Sequence, residues 1–228
     1  MANDLLSGIV YDDRILKIVT DILGDKPVYF GDSSFLIDNK QWGFHKDNAD
    51  RYDEKSPDWL TPYTILRCGI YLQDHTKQSG GLLLRDKSHK TTSINEGKAF
   101  NVPVEMGDLV IWSLKTTHSG NAKLFKLFPN IIVNPKYYNL IPDFLFREQD
   151  IPRVAIFLTY AKNDHHLQRY ITYLKTREYA VSNWQKHDYS AETWLKVLEK
   201  PLTVWDMKKE AAGLDAAELN KEHADIPY

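Results

Sequence analysis

Gly43-Phe44-His45-Lys46-Asp47-Asn48 is the stretch on which the reading of this chain turns. Its centre is His-x-Asp, an imidazole and a carboxylate two positions apart. On an extended strand, residues i and i+2 face the same way. His45 and Asp47 can then reach one metal ion together, while Lys46 points away. A nitrogen donor and a hard oxygen donor suit Fe(II), Mn(II) or Zn(II). His-x-Asp alone is a weak signal, so the rest of the chain decides what it means.

The chain has 228 residues, enough for one large domain with a sizeable core. Its 43% hydrophobic and 26% charged content is that of ordinary soluble proteins. A net charge of -2 argues against general affinity for nucleic acid or anionic membranes. The 6 Trp, 13 Tyr and 9 Phe favour a sheet-rich core or an aromatic-lined pocket, and composition does not separate the two. Cys68 is the only cysteine, which excludes an internal disulfide. It sits in an apolar run and reads as a small buried hydrophobe. Asp4, Asp12 and Asp13 interrupt every apolar run near the start, so neither a signal peptide nor a membrane span is expected. The expected location is cytoplasmic.

Outward from the motif, the pattern predicts helix over 11–24, with Ile15, Ile18, Val19, Ile22 and Leu23 at helical spacing. Asp12 or Asp13 can cap its start and Gly24 its end. Residues 27–37 predict one or two strands with a break at Gly31-Asp32, and Asp38-Asn39-Lys40 a turn. Residues 48–62 are polar and read as a loop, either a substrate lid carrying Tyr52 and Trp59 or a solvated connection. Residues 63–73 predict a strand with Arg67, Gly69, Tyr71 and Gln73 on one face. Arg67 there either lines a polar cavity or makes an ion pair. Further strands are expected at 82–84, 109–112 and 153–160, with an aromatic, proline-containing insertion over 122–150. From Asp164 the pattern turns helical, breaks near 188–190, and ends in a surface helix from Lys208.

Two ligands need a third. His75 and His89 lie in turns, and His165, His166, His187 and His223 lie in the helical tail. His118 follows a buried strand, and the small Ser119 and Gly120 beside it leave room for a ligand. Spacing puts His118 first without excluding the others.

Seven pieces occur in a telling order: His45-Lys46-Asp47; Arg67 to Asp74; Gly80-Gly81-Leu82-Leu83-Leu84; Ser88-His89-Lys90; Gly107 to Trp112; His118-Ser119-Gly120-Asn121; and Arg153 opening a strand. Over about 12–165 the chain resembles the phytanoyl-CoA dioxygenase-like branch of the Fe(II)/2-oxoglutarate oxygenases. The resemblance implies a mainly β fold, a double-stranded β-helix (a cupin-like jelly roll) with flanking helices at both ends. It implies a single domain over 1–228, with the β-helix at about 27–160 and a helical segment at about 164–228. His45, Asp47 and His118 become the iron triad, which leaves open positions on one face of the metal. Arg153 becomes the partner of the distal carboxylate of 2-oxoglutarate, a role suited to a planar fork. Ser119 and Arg67 are further expected co-substrate contacts. Arg147 rivals Arg153, because in the family this arginine follows soon after the second histidine. His89 is expected to be structural.

The implied cofactors are Fe(II), 2-oxoglutarate and O2, with ascorbate supporting activity. The implied reaction couples decarboxylation of 2-oxoglutarate, to succinate and CO2, to hydroxylation of a small molecule. A carboxylate at Asp47 argues against halogenation, for which related enzymes carry a small residue. The competing reading is a cupin-like metal-dependent hydrolase or isomerase using the same two histidines and aspartate. Trp42, Tyr52, Trp59 and Trp112 are candidates for pocket or core.

Overall fold

A computed structural model describes residues 4–38, 42–149 and 152–225. In chain order it has helices α1 (Asp4–Val10) and α2 (Asp13–Leu23), strand β1 (Val28–Asp38), the short helix α3 (Pro57–Leu60), and strands β2 (Ile65–Tyr71), β3 (Gly81–Arg85), β4 (Ala99–Val102), β5 (Leu109–Ser113), β6 (His118–Ala122) and β7 (Arg153–Ala161). Helices α4 (His165–Lys175), α5 (Glu178–Lys186) and α6 (Ala191–Leu198), strand β8 (Thr203–Val204) and helix α7 (Met207–Glu210) complete it. The strands form a five-stranded sheet, ordered β5-β2-β7-β1-β8, and a three-stranded sheet, ordered β4-β3-β6. No described helix is long and apolar enough to cross a membrane.

Contacts cluster into two units. One comprises the chain up to Ser33, Thr61–Arg67, and the chain from Leu158; the other comprises Ser34–Leu60 and Cys68–Phe157. In the first, α2 buries Ile15, Leu16 and Val19 on one face. Asp12 caps it by accepting from the Arg14 backbone N–H at 2.9 Å, and Gly24 ends it in the left-handed conformation. Strand β8 lies parallel to the start of β1, Val28 opposite Thr203. Asp32 collects Arg67 Nη1 at 3.2 Å, Thr159 Oγ1 at 2.8 Å and Tyr170 OH at 3.3 Å.

In the second unit the two sheets share one core. Tyr71 from β2, Trp112 from β5 and Ala155 from β7 meet Leu82 from β3 and Val104, with Leu84, Val102, Val110 and Phe157 packed around them. This facing pair of sheets, not closed into a barrel, is the expected jelly-roll arrangement. Gly69 makes the packing possible, since a Cβ there would lie 3.0 Å from Trp112 and 3.1 Å from Phe157. Strand β3 pairs antiparallel with β4, Leu82 opposite Val102, and with β6, Leu84 opposite His118.

Several expectations need adjustment. Residues 28–38 form one strand, not two, with Gly31 absorbing the irregularity at a φ of 71°. Asn39 and Lys40 of the expected turn lie outside the described residues. The polar segment 48–62 is only in part a solvated connection: residues 52–55 and 60–62 are exposed, but Asn48, Asp50, Ser56 and Asp58 are buried. Asp58 accepts from Asn48 Nδ2 at 2.8 Å and from the Asp50 N–H at 3.2 Å. The helical tail breaks at Thr176 as well as before Ser190. The surface helix expected from Lys208 is only the single turn of α7. Gly213, at a φ of 79°, and Asp215, capping a new 3-10 turn, end it. The insertion over 122–150 has no strand of its own among the described residues; a bridge between Phe125 and Phe146, with rings stacked at 5.0 Å, closes its base.

Candidate metal centre

Two short backbone segments bring the donor atoms together. His45 and His118 form an isolated antiparallel bridge, each N–H donating to the other's carbonyl, at 3.0 and 2.9 Å. Asp47 N–H donates to Leu114 O at 3.0 Å, so the His-x-Asp segment runs alongside the turn that leads into β6. One donor atom from each of His45, Asp47 and His118 lies within 4.8 Å of the others. His45 Nε2 is 3.6 Å from Asp47 Oδ1, and His118 Nε2 is 3.4 Å from Asp47 Oδ2.

The tautomers follow from the partners. His45 Nδ1 lies 2.8 Å from Gly43 O, and His118 Nδ1 lies 3.0 Å from Thr116 O. A carbonyl only accepts, so both Nδ1 atoms carry the proton and both Nε2 lone pairs face the carboxylate. Burial, with the nearby His118, lowers the pKa of His45 below the usual imidazole value and favours the neutral, ligating form. His118 is enclosed, its side chain 9% exposed, whereas His45 is 39% exposed. The site therefore opens on the His45 side, where Trp42 stands 6.5 Å from the His45 ring. Trp112 flanks the enclosed side, 5.6 Å from His118.

Arg153 opens β7 and is buried. Its guanidinium lies against the Cα of Gly120, where a Cβ would come within 2.3 Å of Nη1. Gln73 fixes the strand at this point: its side chain donates to Pro152 O at 2.8 Å and accepts from the Val154 N–H at 2.9 Å, so it brackets Arg153. Two further buried groups face this region. Burial holds the Tyr71 phenol well above its usual pKa, with the Arg153 charge opposing; burial lowers the pKa of His75, and Arg153 lowers it further. Tyr71 OH, His75 Nε2 and Trp112 Nε1 find no hydrogen-bond partner among the described residues. His75 Nδ1 faces Ser79 O at 3.2 Å, so its Nε2 is an acceptor, but the orphaned Tyr71 hydroxyl and Trp112 N–H are donors. Donors without partners in the region of a buried guanidinium suit a ligand bearing a carboxylate, and two imidazoles with one carboxylate suit a divalent metal. The residues present thus fit both groups. Tyr71, Gln73 and Gly120 are not named as site residues in the sequence reading, and His75, a candidate there for the third ligand, lies outside the ligand cluster. The signal for Tyr71 and Gln73 is their place in the Arg67 to Asp74 piece, and for Gly120 its place in the piece that begins at His118.

The remaining expected residues lie as follows. Ser119 is buried, and its hydroxyl donates to Trp42 O at 2.5 Å, tying β6 to the segment before His45. Arg67 belongs to the first unit and makes the ion pair with Asp32 that its sequence position allowed. Arg147 Nη1 donates to the carbonyls of Thr76 and Lys77, at 3.3 and 3.2 Å, in a surface hollow shared with Asp74, Lys126 and Glu148. His89 is exposed and lies outside the ligand cluster. Tyr52 is 70% exposed, while Trp59 packs under the ammonium groups of Lys46 and Lys115. Burial, with Lys115 nearby, pushes Lys46 down to about 8.

No family model matches the chain, and no curated protein matches it. Solved structures do. The non-haem monooxygenase ThoJ, as its nickel complex, is 18% identical with a TM-score of 0.49, over 71% of this chain and 55% of that one. SnoN, a non-haem α-ketoglutarate-dependent epimerase from nogalamycin biosynthesis, is 16% identical with a TM-score of 0.47, over 70% and 57%. EctD from S. alaskensis, with 2-oxoglutarate and 5-hydroxyectoine, is 17% identical with a TM-score of 0.43, over 68% and 51%. The chain spans a little over half the length of these three structures.

Proposed function

We propose that this protein is a non-haem Fe(II)- and 2-oxoglutarate-dependent oxygenase that hydroxylates a small organic substrate and releases succinate and CO2. The observation that carries this reading is one constellation. Three donor atoms converge within 4.8 Å, and a buried guanidinium packs on the glycine two residues beyond His118, among polar atoms without partners. When bound, iron and 2-oxoglutarate supply O2 activation driven by oxidative decarboxylation.

The chain's own residues do the rest. His45 and His118 present Nε2, held by their Nδ1 bonds to Gly43 O and Thr116 O. Asp47 would supply the anionic donor, and a carboxylate there argues for hydroxylation over halogenation. Arg153 would hold the distal carboxylate through its guanidinium fork, and the Tyr71 hydroxyl would be a further donor to it. Burial of both keeps water from that carboxylate and strengthens the pairing. The half-exposed flank at His45 and Trp42 leaves a way in for a small substrate.

The test is succinate formation from 2-oxoglutarate by protein loaded with Fe(II) under O2, with and without a library of small molecules. Slow turnover without substrate, and stimulation by a library member, are expected. No succinate under any iron and oxygen condition, together with metal-dependent hydrolysis or isomerisation of a library member, would replace this reading with the cupin-like alternative.

A further inference from the structure

Lys46 sits between the two ligands of the His-x-Asp segment and points the other way. Its side chain is among the largest fully buried ones, at 1% exposure. A buried ammonium is costly unless its protons find acceptors. Here Nζ donates to Ser88 O at 2.6 Å and to Lys115 O at 2.8 Å, and it stands 5.4 Å from the centre of the Trp59 ring. One cation thus ties three separate stretches of chain, at residues 46, 88 and 115.

Each tie leads to a ligand. Lys115 precedes Thr116, whose carbonyl accepts from His118 Nδ1 at 3.0 Å. Ser88 Oγ accepts from the Thr117 N–H at 2.9 Å and donates to Arg85 O at 2.8 Å. Asp47 N–H holds Leu114 O. The turn over 114–117 is therefore gripped at Leu114 by Asp47, at Lys115 by Lys46 and at Thr117 by Ser88, and it delivers His118. Lys115 Nζ in turn donates to Asp58 O at 2.6 Å and packs on the same Trp59 ring, which closes the knot from the 48–62 segment.

We propose that Lys46 is a positioning residue for the metal centre: by joining the carbonyls of Ser88 and Lys115 it sets the distance and orientation of His118 relative to His45 and Asp47. The proposal rests on the metal-site reading above. It also gives the Ser88-His89-Lys90 segment a role, since its serine is half of the clamp while its histidine faces solvent.

The experiment is Co(II) binding by calorimetry, with the ligand-field absorption of the bound Co(II), for the unaltered protein, Lys46→Met, Ser88→Ala and Leu16→Ala. Lys46→Met keeps the length and burial of the side chain and removes the donor. A loss of Co(II) affinity on the order of tenfold or more is expected, with a changed absorption envelope. Ser88→Ala is expected to shift both readouts in the same sense, by less. Leu16→Ala, which lowers stability in the other contact unit, is expected to move neither. If the unaltered protein fails to bind Co(II), the metal reading itself is wrong. If it binds and Lys46→Met binds as tightly with the same spectrum, the metal reading stands and the positioning role is lost. Should Lys46→Met not fold, Lys46→Gln, whose amide is too short to join both carbonyls, decides instead: unchanged affinity and spectrum there overturn the proposal.

Discussion

A methyl group on residue 120 would fall 2.3 Å from Nη1 of Arg153. The atom it meets is the far end of a flexible side chain, so the guanidinium would move before the backbone did. Gly120→Ala is therefore expected to weaken 2-oxoglutarate binding by about tenfold or more, roughly 1.4 kcal/mol, while metal affinity holds. Arg153→Ala should go further. Removing one partner of a buried charge pair costs about 2–5 kcal/mol, at least roughly a 30-fold loss. Arg153→Lys should recover only part, because an ammonium lacks the fork. Arg147→Ala should change little, since that guanidinium holds two loop carbonyls at the surface. Anaerobic titration of metal-loaded protein with 2-oxoglutarate reads all four. Retained affinity in Arg153→Ala with loss in Arg147→Ala would transfer the carboxylate to the rival arginine.

Among the elements, α2 is the one whose ends are legible, although its face is shifted from the expected one: Leu16 is buried, whereas Ile18 and Ile22 are exposed. Its cap gives a pH prediction. The Asp12 pKa is lowered to about 2, chiefly by its hydrogen bond with the Arg14 side chain. A carboxylate with a depressed folded pKa contributes stability that is present above its unfolded pKa, near 4. That contribution is lost as pH falls through about 2. Asp12→Ala should lower unfolding free energy by about 1 kcal/mol near neutral pH, and the difference should shrink in acid. Denaturant melts of both proteins at pH 7 and at about pH 2.5 compare them; a difference that grows in acid would contradict the sign. On the buried face, Leu16→Ala should cost about 2–5 kcal/mol, because Leu16 is fully enclosed. Strand β6 shows the opposite situation. All five of its residues are buried, yet His-Ser-Gly-Asn-Ala carries none of the β-branched or aromatic residues that announce a strand. Its pairing with β3 and its hydrogen bonds to the His45 segment override propensity.

For the molecule as a whole, ligand binding and stability are linked. A ligand that binds only the folded state stabilises it by about 2.7 kcal/mol at one hundred times its Kd. For a chain of this size that corresponds to about 5–10 °C in Tm. With Co(II) present, 2-oxoglutarate should raise the Tm by this order, and without metal it should do much less. His118→Ala should abolish the metal-dependent part. Equal shifts with and without metal would place the 2-oxoglutarate site away from the three ligands.

The sequence by itself determined the local terms. Spacing two apart puts His45 and Asp47 on one side and Lys46 on the other, and the core of the strand at 153–160 is apolar enough to be read directly. Asp12 and Gly24 bracket α2 because capping is chemistry within one turn of chain. The ordered motifs also single out His118 and Arg153 as candidates. What only the tertiary structure decided is set by contacts between residues distant in sequence. The His45–His118 bridge fixes which histidine completes the trio. The fit of Arg153 on Gly120 depends on β6 and β7 lying together, and Gln73 reaching both neighbours of Arg153 depends on β2 beside β7. Residues 48–62 read as a polar loop because composition counts side chains and not partners. Once Asn48 donates to Asp58, and Lys46 and Lys115 donate to carbonyls, part of the same polarity packs as interior.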